Sequence, residues 1–332
     1  MASPSPICLT MGEPSGIGGE ITLLSWFHHR RQLAAPFFVI DSPERLTGLA
    51  VSIGLDMPVV RIDSADQAAA AFSVGLPVLP LTQPVDAVPG HPDAGTAASV
   101  IESIERAHSL VSAGAARAMV TNPIQKSTLY GAGFGYPGHT EFLGALAKID
   151  TPTVMMLVID GLRVVPVSVH ESLRAAIEGL TTEAIVTKAR IAAIALRDRF
   201  GIPAPRMAMA GLNPHAGEDG TLGREELTVI APAVTLLRAE GWQVDGPRSP
   251  DTMFHPAARA TYDVAICQYH DQALIPLKTI DYDHGVNVTL GLPFVRTSPD
   301  HGTALDIAGT GAAKPNSLVA ALNLAAKLAR AG

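Results

Sequence analysis

The sequence predicts a layered α/β protein. Short apolar runs recur along the chain, stretches with helical periodicity separate them, and glycine, proline or asparagine punctuates the joins. Residues 7–11 read as a first buried strand, followed by the glycine-rich run Gly12 to Glu20 and a helix beginning near Glu20. Such a turn can present backbone N–H groups to an anion, or its glycines can serve packing alone. The spacing matches neither GxGxxG nor a P-loop. Further strands are expected at 37–41, 59–62 and 76–81, and then Pro84, Pro89 and Pro92 predict an irregular stretch up to Asp93. Ala97, Val100, Ile101, Ile104 and Leu110 fit one face of a helix that stops near Gly114, before a strand at 118–121 broken by Asn122-Pro123. Asp160-Gly161 between apolar runs at 154–158 and 162–169 predicts a hairpin. Helices are expected at 182–199, 225–240 and 317–329, and strands at 207–212 and from Asp263.

With 332 residues, 47% hydrophobic and only 17% charged, the chain can bury a sizeable core and is not expected to be disordered. A net charge of −7 and 5% aromatics argue against nucleic-acid and anionic-membrane binding, while leaving room for a local basic pocket. Cys8 and Cys267 sit inside apolar runs and read as core residues of a reducing compartment. No run approaches the roughly 20 apolar residues of a membrane span. The amino-terminal stretch lacks signal-peptide character. The expectation is a cytoplasmic protein.

Chemistry concentrates from Asp263 to Gly311, where an apolar strand breaks into Tyr269-His270-Asp271-Gln272, then Lys278, Asn287 and Arg296, and closes on HGTALDIAG. His170, His215 and His270 each follow the end of an expected strand. One such histidine is ordinarily structural, whereas three in matching positions suggest convergence on a divalent metal. Their separations fit no short zinc motif, so this reading depends on the fold. Lys278, Asn287 and Arg296 can hold phosphate or carboxylate groups. Gly138-His139-Thr140-Glu141 reads as a loop entering a helix, suited to an anion or, for Thr140 alone, to a simple cap.

Taken with GHTEF, LNPHAGE, YHDQ, GVNVTLGLPFVRTS and DHGTALDIAG, the chain resembles the 4-hydroxythreonine-4-phosphate dehydrogenase family of pyridoxal phosphate biosynthesis. The resemblance runs from MGEPSGIGGE to the final helix and is thinnest between about residues 25 and 95. It implies the two-domain α/β/α layered fold of isocitrate and isopropylmalate dehydrogenases, with a cleft between domains. The expected division is 1–120 plus 280–332 as the dinucleotide side and 121–279 as the metal and dimer side. The implied activity is NAD- or NADP-dependent oxidation of 4-phosphooxy-threonine at its 3-hydroxyl, followed by decarboxylation to 3-amino-2-oxopropyl phosphate. One divalent ion (Zn, Mg or Co) would be held by His170, His215 and His270, with His270 serving the partner subunit's site in a homodimer. His139, Thr140, Lys278, Asn287 and Arg296 would bind the phosphorylated substrate. Asn213 and His301, Gly302, Thr303, Ala304 and Asp306 would bind the dinucleotide. Lys278 and Asp271 are the expected catalytic residues, Asp271 by orienting a ligand or assisting proton transfer.

The sequence departs from the family at Gly12-Glu13-Pro14, where Gly-Asp-Pro is usual, and at Asp283-His284, where Arg commonly precedes the glycine. Paralogues that oxidise threonate or erythronate 4-phosphate, or cis-dihydrodiols of aromatic acids, are the nearest alternatives. The intact GHTEF favours a phosphorylated substrate. A non-catalytic metabolite sensor is the alternative of a different class, and the full histidine set and Lys278 speak against it.

Overall fold

The computed structural model describes residues 5–136 and 138–330. Met1 to Pro4, part of the stretch read for a signal peptide, lie outside them, as do Pro137 and residues 331–332. Strands run in the order β1 (Ile7–Thr10), β2 (Phe37–Asp41), β3 (Val59–Arg61), β4 (Leu76–Pro80), β5 (Ala118–Thr121), β6 (Val154–Ile159), β7 (Leu162–Pro166), β8 (Arg206–Ala210), β9 (Gln243–Arg248), β10 (Val264–Cys267), β11 (Val286–Leu290) and β12 (Arg296–Pro299). Helices are α1 (Gly18–His29), α2 (Pro43–Ser52), α3 (Ala68–Phe72), α4 (Ala97–Ser112), α5 (Lys126–Gly131), α6 (His139–Leu146), α7 (Leu173–Glu178), α8 (Thr182–Asp198), α9 (Ala231–Ala239), α10 (Pro256–Arg259), α11 (His270–Ile280) and α12 (Asn316–Leu328). The α/β expectation holds. Among the described residues no helix is long and apolar enough to cross a membrane.

The chain divides into two compact units, Met1–Thr153 with Leu292–Arg330, and Val154–Gly291. In the first, strands lie in the order β3-β4-β2-β1-β5-β12, every neighbouring pair parallel. Ile7, Cys8 and Leu9 of the central β1 are fully buried, as a strand covered on both faces requires. Its core joins Cys8, Phe38, Ile40 and Met119 to the apolar stripe Val100, Ile104 and Ala107 of α4, and to Leu129, Phe142 and Leu143. The expected crossings near 120 and 280 therefore need correction. Helices α5 and α6 stay with the first unit because Leu129, Phe142 and Leu143 fill its core, and β11 stays with the second because it pairs with β6 from Val286 to Leu290.

The second unit orders its strands β11-β6-β7-β10-β8-β9. The β11, β6 and β7 neighbours are antiparallel, whereas β7, β10, β8 and β9 run parallel. The predicted hairpin is present: Ile159 opposes Leu162, and Gly161 takes φ 71°, the left-handed value an Asp-Gly turn needs. The polar run after β10 continues as a helix. It opens α11, whose Ala273 and Leu277 are buried one turn apart, and Gln272 there accepts from Gln268 N (2.6 Å) and donates to Gly211 O (2.7 Å). Residues 225–240 are also less regular than expected, with a π-helical turn at Glu226–Ile230 before α9.

The glycine-rich run after β1 resolves in favour of packing. Four of its amides are already used: Glu13 N donates to Pro123 O (2.8 Å), Ser15 N to Glu13 Oε1 (3.1 Å), Gly16 N to Glu13 O (3.0 Å) and Ile17 N to Thr303 O (3.0 Å). A Cβ on Gly16 would lie 2.9 Å from Thr303 O. Glu20, fully buried at the start of α1, accepts from Gly309 N (3.0 Å) and Ala313 N (2.9 Å). The run and Glu20 thus fasten both ends of the His301–Gly309 loop.

Phe142 packs against the rings of Phe134 and Tyr136, with centroids 4.9 and 5.1 Å away. Phe142→Ala is expected to destabilise the first unit by about 3–5 kcal/mol, read as a lowered urea midpoint. An unchanged midpoint would contradict the placement of α6 in that core.

Candidate active site

In the second unit, β7 and β10 are parallel neighbours, and their pairing continues beyond the strands. Val167 N donates to Cys267 O (2.7 Å) and Ser168 N to Gln268 O (3.2 Å). The two chains therefore leave the sheet side by side, and each delivers a histidine. The His170 and His270 rings stand 6.4 Å apart between centroids, tilted by 41°. Lys188 of α8 ties down the same exit by donating to the Val167 carbonyl. With Glu171, Tyr269 and Asp271, the two histidines line an open cavity of about 520 Å³.

His270 Nδ1 lies 2.7 Å from Asp271 Oδ1. A carboxylate can only accept, so Nδ1 carries a proton, and in the neutral imidazole that leaves the Nε2 lone pair for a metal. His215 follows β8, on the other side of β10, so the three histidines do leave three adjacent parallel strands. They do not close into one cluster: among the described residues no three His, Cys, Asp or Glu side chains are placed to hold a metal. A single chain brings together His170 and His270, and His215 stands outside that pair.

After Asn213-Pro214 the backbone turns left-handed at His215 (φ 51°), Ala216 (52°), Gly217 (80°), Glu218 (41°) and Asp219 (54°). This conformation costs non-glycine residues roughly 1–2 kcal/mol each, so neighbouring contacts must hold it. Buried Glu226 fixes the entry to the turn: Oε1 accepts from Leu212 N and Asn213 N, both 2.7 Å, and Oε2 from Asn213 Nδ2 (2.9 Å). Glu225 Oε2 takes the other bond from Asn213 Nδ2 (2.8 Å). These donors hold the Glu226 carboxyl below its ordinary value even though burial alone would raise it.

Lys278 lies in the last turn of α11, with Nζ 5.5 Å from the Tyr282 ring centroid. Asn287 is on β11 opposite Leu157, and its Oδ1 is buried without a hydrogen-bond partner among the described residues. At the position that departs from the family, His284 Nδ1 lies 3.0 Å from the Asp281 carboxylate. That contact ties His284 to its own loop.

The first unit gathers a cationic group. Arg296 opens β12, is 4% exposed, and donates to Thr121 Oγ1 of β5 at 2.6 Å. Burial lowers its guanidinium to about 10, opposed by the carboxylate of Glu141. His139 is the first residue of α6, after Gly138, which occupies the cap position in an extended conformation with no side-chain cap. The imidazole is held neutral, well below its usual range, first by burial and then by Arg296 and Lys126. Its Nε2 is enclosed without a partner among the described residues. Thr140 is not a cap, since it lies inside α6 at the second helical position. Lys126 begins α5, its Cε 3.5 Å from where a Gly138 Cβ would stand. Two cations, a neutral imidazole and a helix N-terminus suit a doubly charged oxyanion.

In the His301–Gly309 loop, His301 Nδ1 lies 3.0 Å from Gly302 O and so carries the proton, leaving Nε2 an acceptor, enclosed and without a partner among the described residues. Thr303 Oγ1 reaches Gln125 Oε1 (3.3 Å), Ala304 adopts φ 42°, and Gly302 and Asp306 are exposed. Sequence reasoning missed Glu20 and Glu226. Their signal is a carboxylate at the buried start of a helix, immediately after a glycine-rich turn.

The profile of the pyridoxal phosphate biosynthetic protein PdxA family matches residues 32–325. A 4-hydroxythreonine-4-phosphate dehydrogenase of Bradyrhizobium diazoefficiens is 53% identical, covering 98% of this chain and 97% of its own. One from Methylorubrum populi is 54% identical over 98% and 95%. The crystal structure of the Klebsiella pneumoniae enzyme of that name superposes with a TM-score of 0.88 at 40% identity, over 98% of this chain and 99% of its own. A terephthalate 1,2-cis-dihydrodiol dehydrogenase from Burkholderia xenovorans gives 0.64 at 27% identity, over 97% and 98%. By family profile and by identity across nearly its whole length, the chain belongs to the pyridoxal phosphate biosynthetic protein PdxA family.

Proposed function

We propose that the protein oxidises 4-phosphooxy-threonine at its 3-hydroxyl with NAD or NADP, and that the resulting β-keto acid loses CO₂ to give 3-amino-2-oxopropyl phosphate, within pyridoxal phosphate biosynthesis. The observation that carries this reading is the buried Arg296 with neutral His139 and Lys126. They form an oxyanion site in a chain about half identical to proteins named for that substrate.

The chain's own groups divide the work. Arg296, Lys126 and the α6 amides hold the phosphate, with Thr140 adding its hydroxyl. His139, kept neutral, donates one N–H without adding a third charge. Lys278 anchors the substrate's anionic end and exchanges protons with it, and Asn287 offers its buried carbonyl oxygen to a donor such as the amino group. His170, His215 and His270 suit a divalent metal by donor chemistry, and the Asp271 bond to His270 supports an orienting role for Asp271. The metal, when bound, supplies a Lewis acid for the 3-oxygen, and the dinucleotide accepts the hydride. For that dinucleotide, His301 Nε2 and Asn213 Oδ1 offer acceptors, and Gly302, Thr303, Ala304 and Asp306 line the loop that Glu20 fastens.

Exposed Leu173, Ile177, Ile275 and Tyr282 on and beside the histidine-bearing elements of the second unit favour a homodimer in which His270 serves the partner's site. The cis-dihydrodiol reading has a structural relative behind it but no use for a buried phosphate site.

Reduction of NAD or NADP, followed with Zn, Mg or Co, should proceed with 4-phosphooxy-threonine. Turnover only with threonate or erythronate 4-phosphate, or only with a cis-dihydrodiol, would overturn the assignment. His139 also makes a prediction for pH. Its folded-state proton affinity is depressed, so as pH falls below its ordinary value of 6.5 the unfolded chain takes up a proton that the folded one refuses. Stability should then fall by up to about 1.4 kcal/mol per pH unit. In His139→Asn that slope should flatten in urea titrations from pH 7 to 5. A slope identical to the wild type would mean that His139 is not held neutral.

A further inference from the structure

Several features outside the proposed chemistry carry nothing on their own. In the groove near Asp63, Asp66 and Arg106 the arginine is already engaged by Pro80 O and Glu102, and Cys8 and Cys267 are enclosed in the core. The Glu226 carboxylate is different, because one buried group holds two residues of the proposed site.

We infer that Glu226 is a positioning residue whose carboxylate locks Asn213 and the left-handed turn from His215 to Asp219 into the form that presents the His215 imidazole and leaves Asn213 only its carbonyl oxygen to offer. The inference rests on the metal reading of His215 given above. Four observations carry it. The carboxylate accepts from Leu212 N, Asn213 N and Asn213 Nδ2, all within 2.9 Å, so it fixes backbone and side chain together at the entry to the turn. With Glu225 taking the second bond from Nδ2, the Asn213 amide has no N–H left for a ligand and must recognise a donor. The surrounding glycines mark the space the clamp needs. A Cβ on Gly217 would stand 2.6 Å from Glu226 Oε2, one on Gly211 would stand 3.1 Å from Oε1, and one on Gly223 would collide with the Asn213 side chain. Glu226 itself begins the π-helical turn, an irregularity common at functional sites.

A glutamine at 226 keeps one carbonyl oxygen for the two backbone amides but turns an NH₂ toward the Asn213 NH₂. The turn should loosen without the chain unfolding. The test uses the full-length, metal-free protein with two readouts. Cobalt(II) titration, followed by its visible absorption, should give a dissociation constant about 10- to 100-fold higher in Glu226→Gln than in wild type, with an altered spectrum. Hydrogen exchange of the 211–224 segment, measured without metal, should be faster by about the same factor. If Glu226→Gln fails to fold, Glu226→Asp, which keeps the charge but draws it back by one methylene, is read in the same way.

A merely structural role would lower the unfolding midpoint while leaving cobalt affinity, spectrum and local exchange of the folded protein unchanged, and that result overturns the inference. If wild type binds no cobalt yet the variant's segment exchanges faster, the clamp stands and the metal reading fails. If wild type binds cobalt in a His215-dependent way and the variant matches it in both readouts, the clamp alone fails.

Discussion

A guanidinium buried to 4% exposure is the constraint on which the functional reading depends. Taking a cation out of water is costly unless dipoles and anions replace the hydration it loses. Thr121 supplies one oxygen, and the Glu141 carboxylate opposes the loss of charge. The same burial drives His139 neutral, so the site gains a donor without gaining another repulsive charge. A chain that needed only a stable first unit could place an aliphatic residue where β12 begins. Arg296 there makes sense when an oxyanion comes to meet it.

The second unit follows a different economy. Its chemistry comes from strand exits: β7 and β10 leave the sheet as hydrogen-bonded neighbours and carry His170 and His270 to within 6.4 Å. The third exit, from β8, is bent left-handed and held by a buried carboxylate. Both units use acidic side chains at helix starts to fix a loop, Glu20 for His301–Gly309 and Glu226 for the entry at Leu212-Asn213. Such carboxylates touch no substrate in this account. They decide where the residues that do so are held.

Much of this was legible in the sequence. The buried parallel strands read as apolar runs, the Asp160-Gly161 turn follows from local chemistry, and the strand-end histidines stand out by context. The misreadings share a cause: they occur where tertiary contacts override local pattern. Tyr269 to Gln272 reads in the sequence only as a polar run at a strand's end, and Gln272 uses both ends of its amide to begin a helix against β8 and β10. For the Gly12–Glu20 run the sequence leaves anion binding and packing both open, and the structure spends four of its amides on Glu13, Pro123 and Thr303. The unit boundaries shifted because α5 and α6 follow their apolar faces into the first core, which no local composition marks. The left-handed turn at His215 was hidden because His, Ala, Glu and Asp rarely take that conformation.

The most direct measurement is kcat/KM for 4-phosphooxy-threonine and for the same compound without its phosphate, in wild type and in Arg296→Met. Wild type should strongly prefer the phosphorylated compound. The variant should lose about 2–5 kcal/mol of transition-state binding for it and little for the other, so the preference collapses. A preference that survives in Arg296→Met would contradict the account, because the phosphate would then be recognised elsewhere.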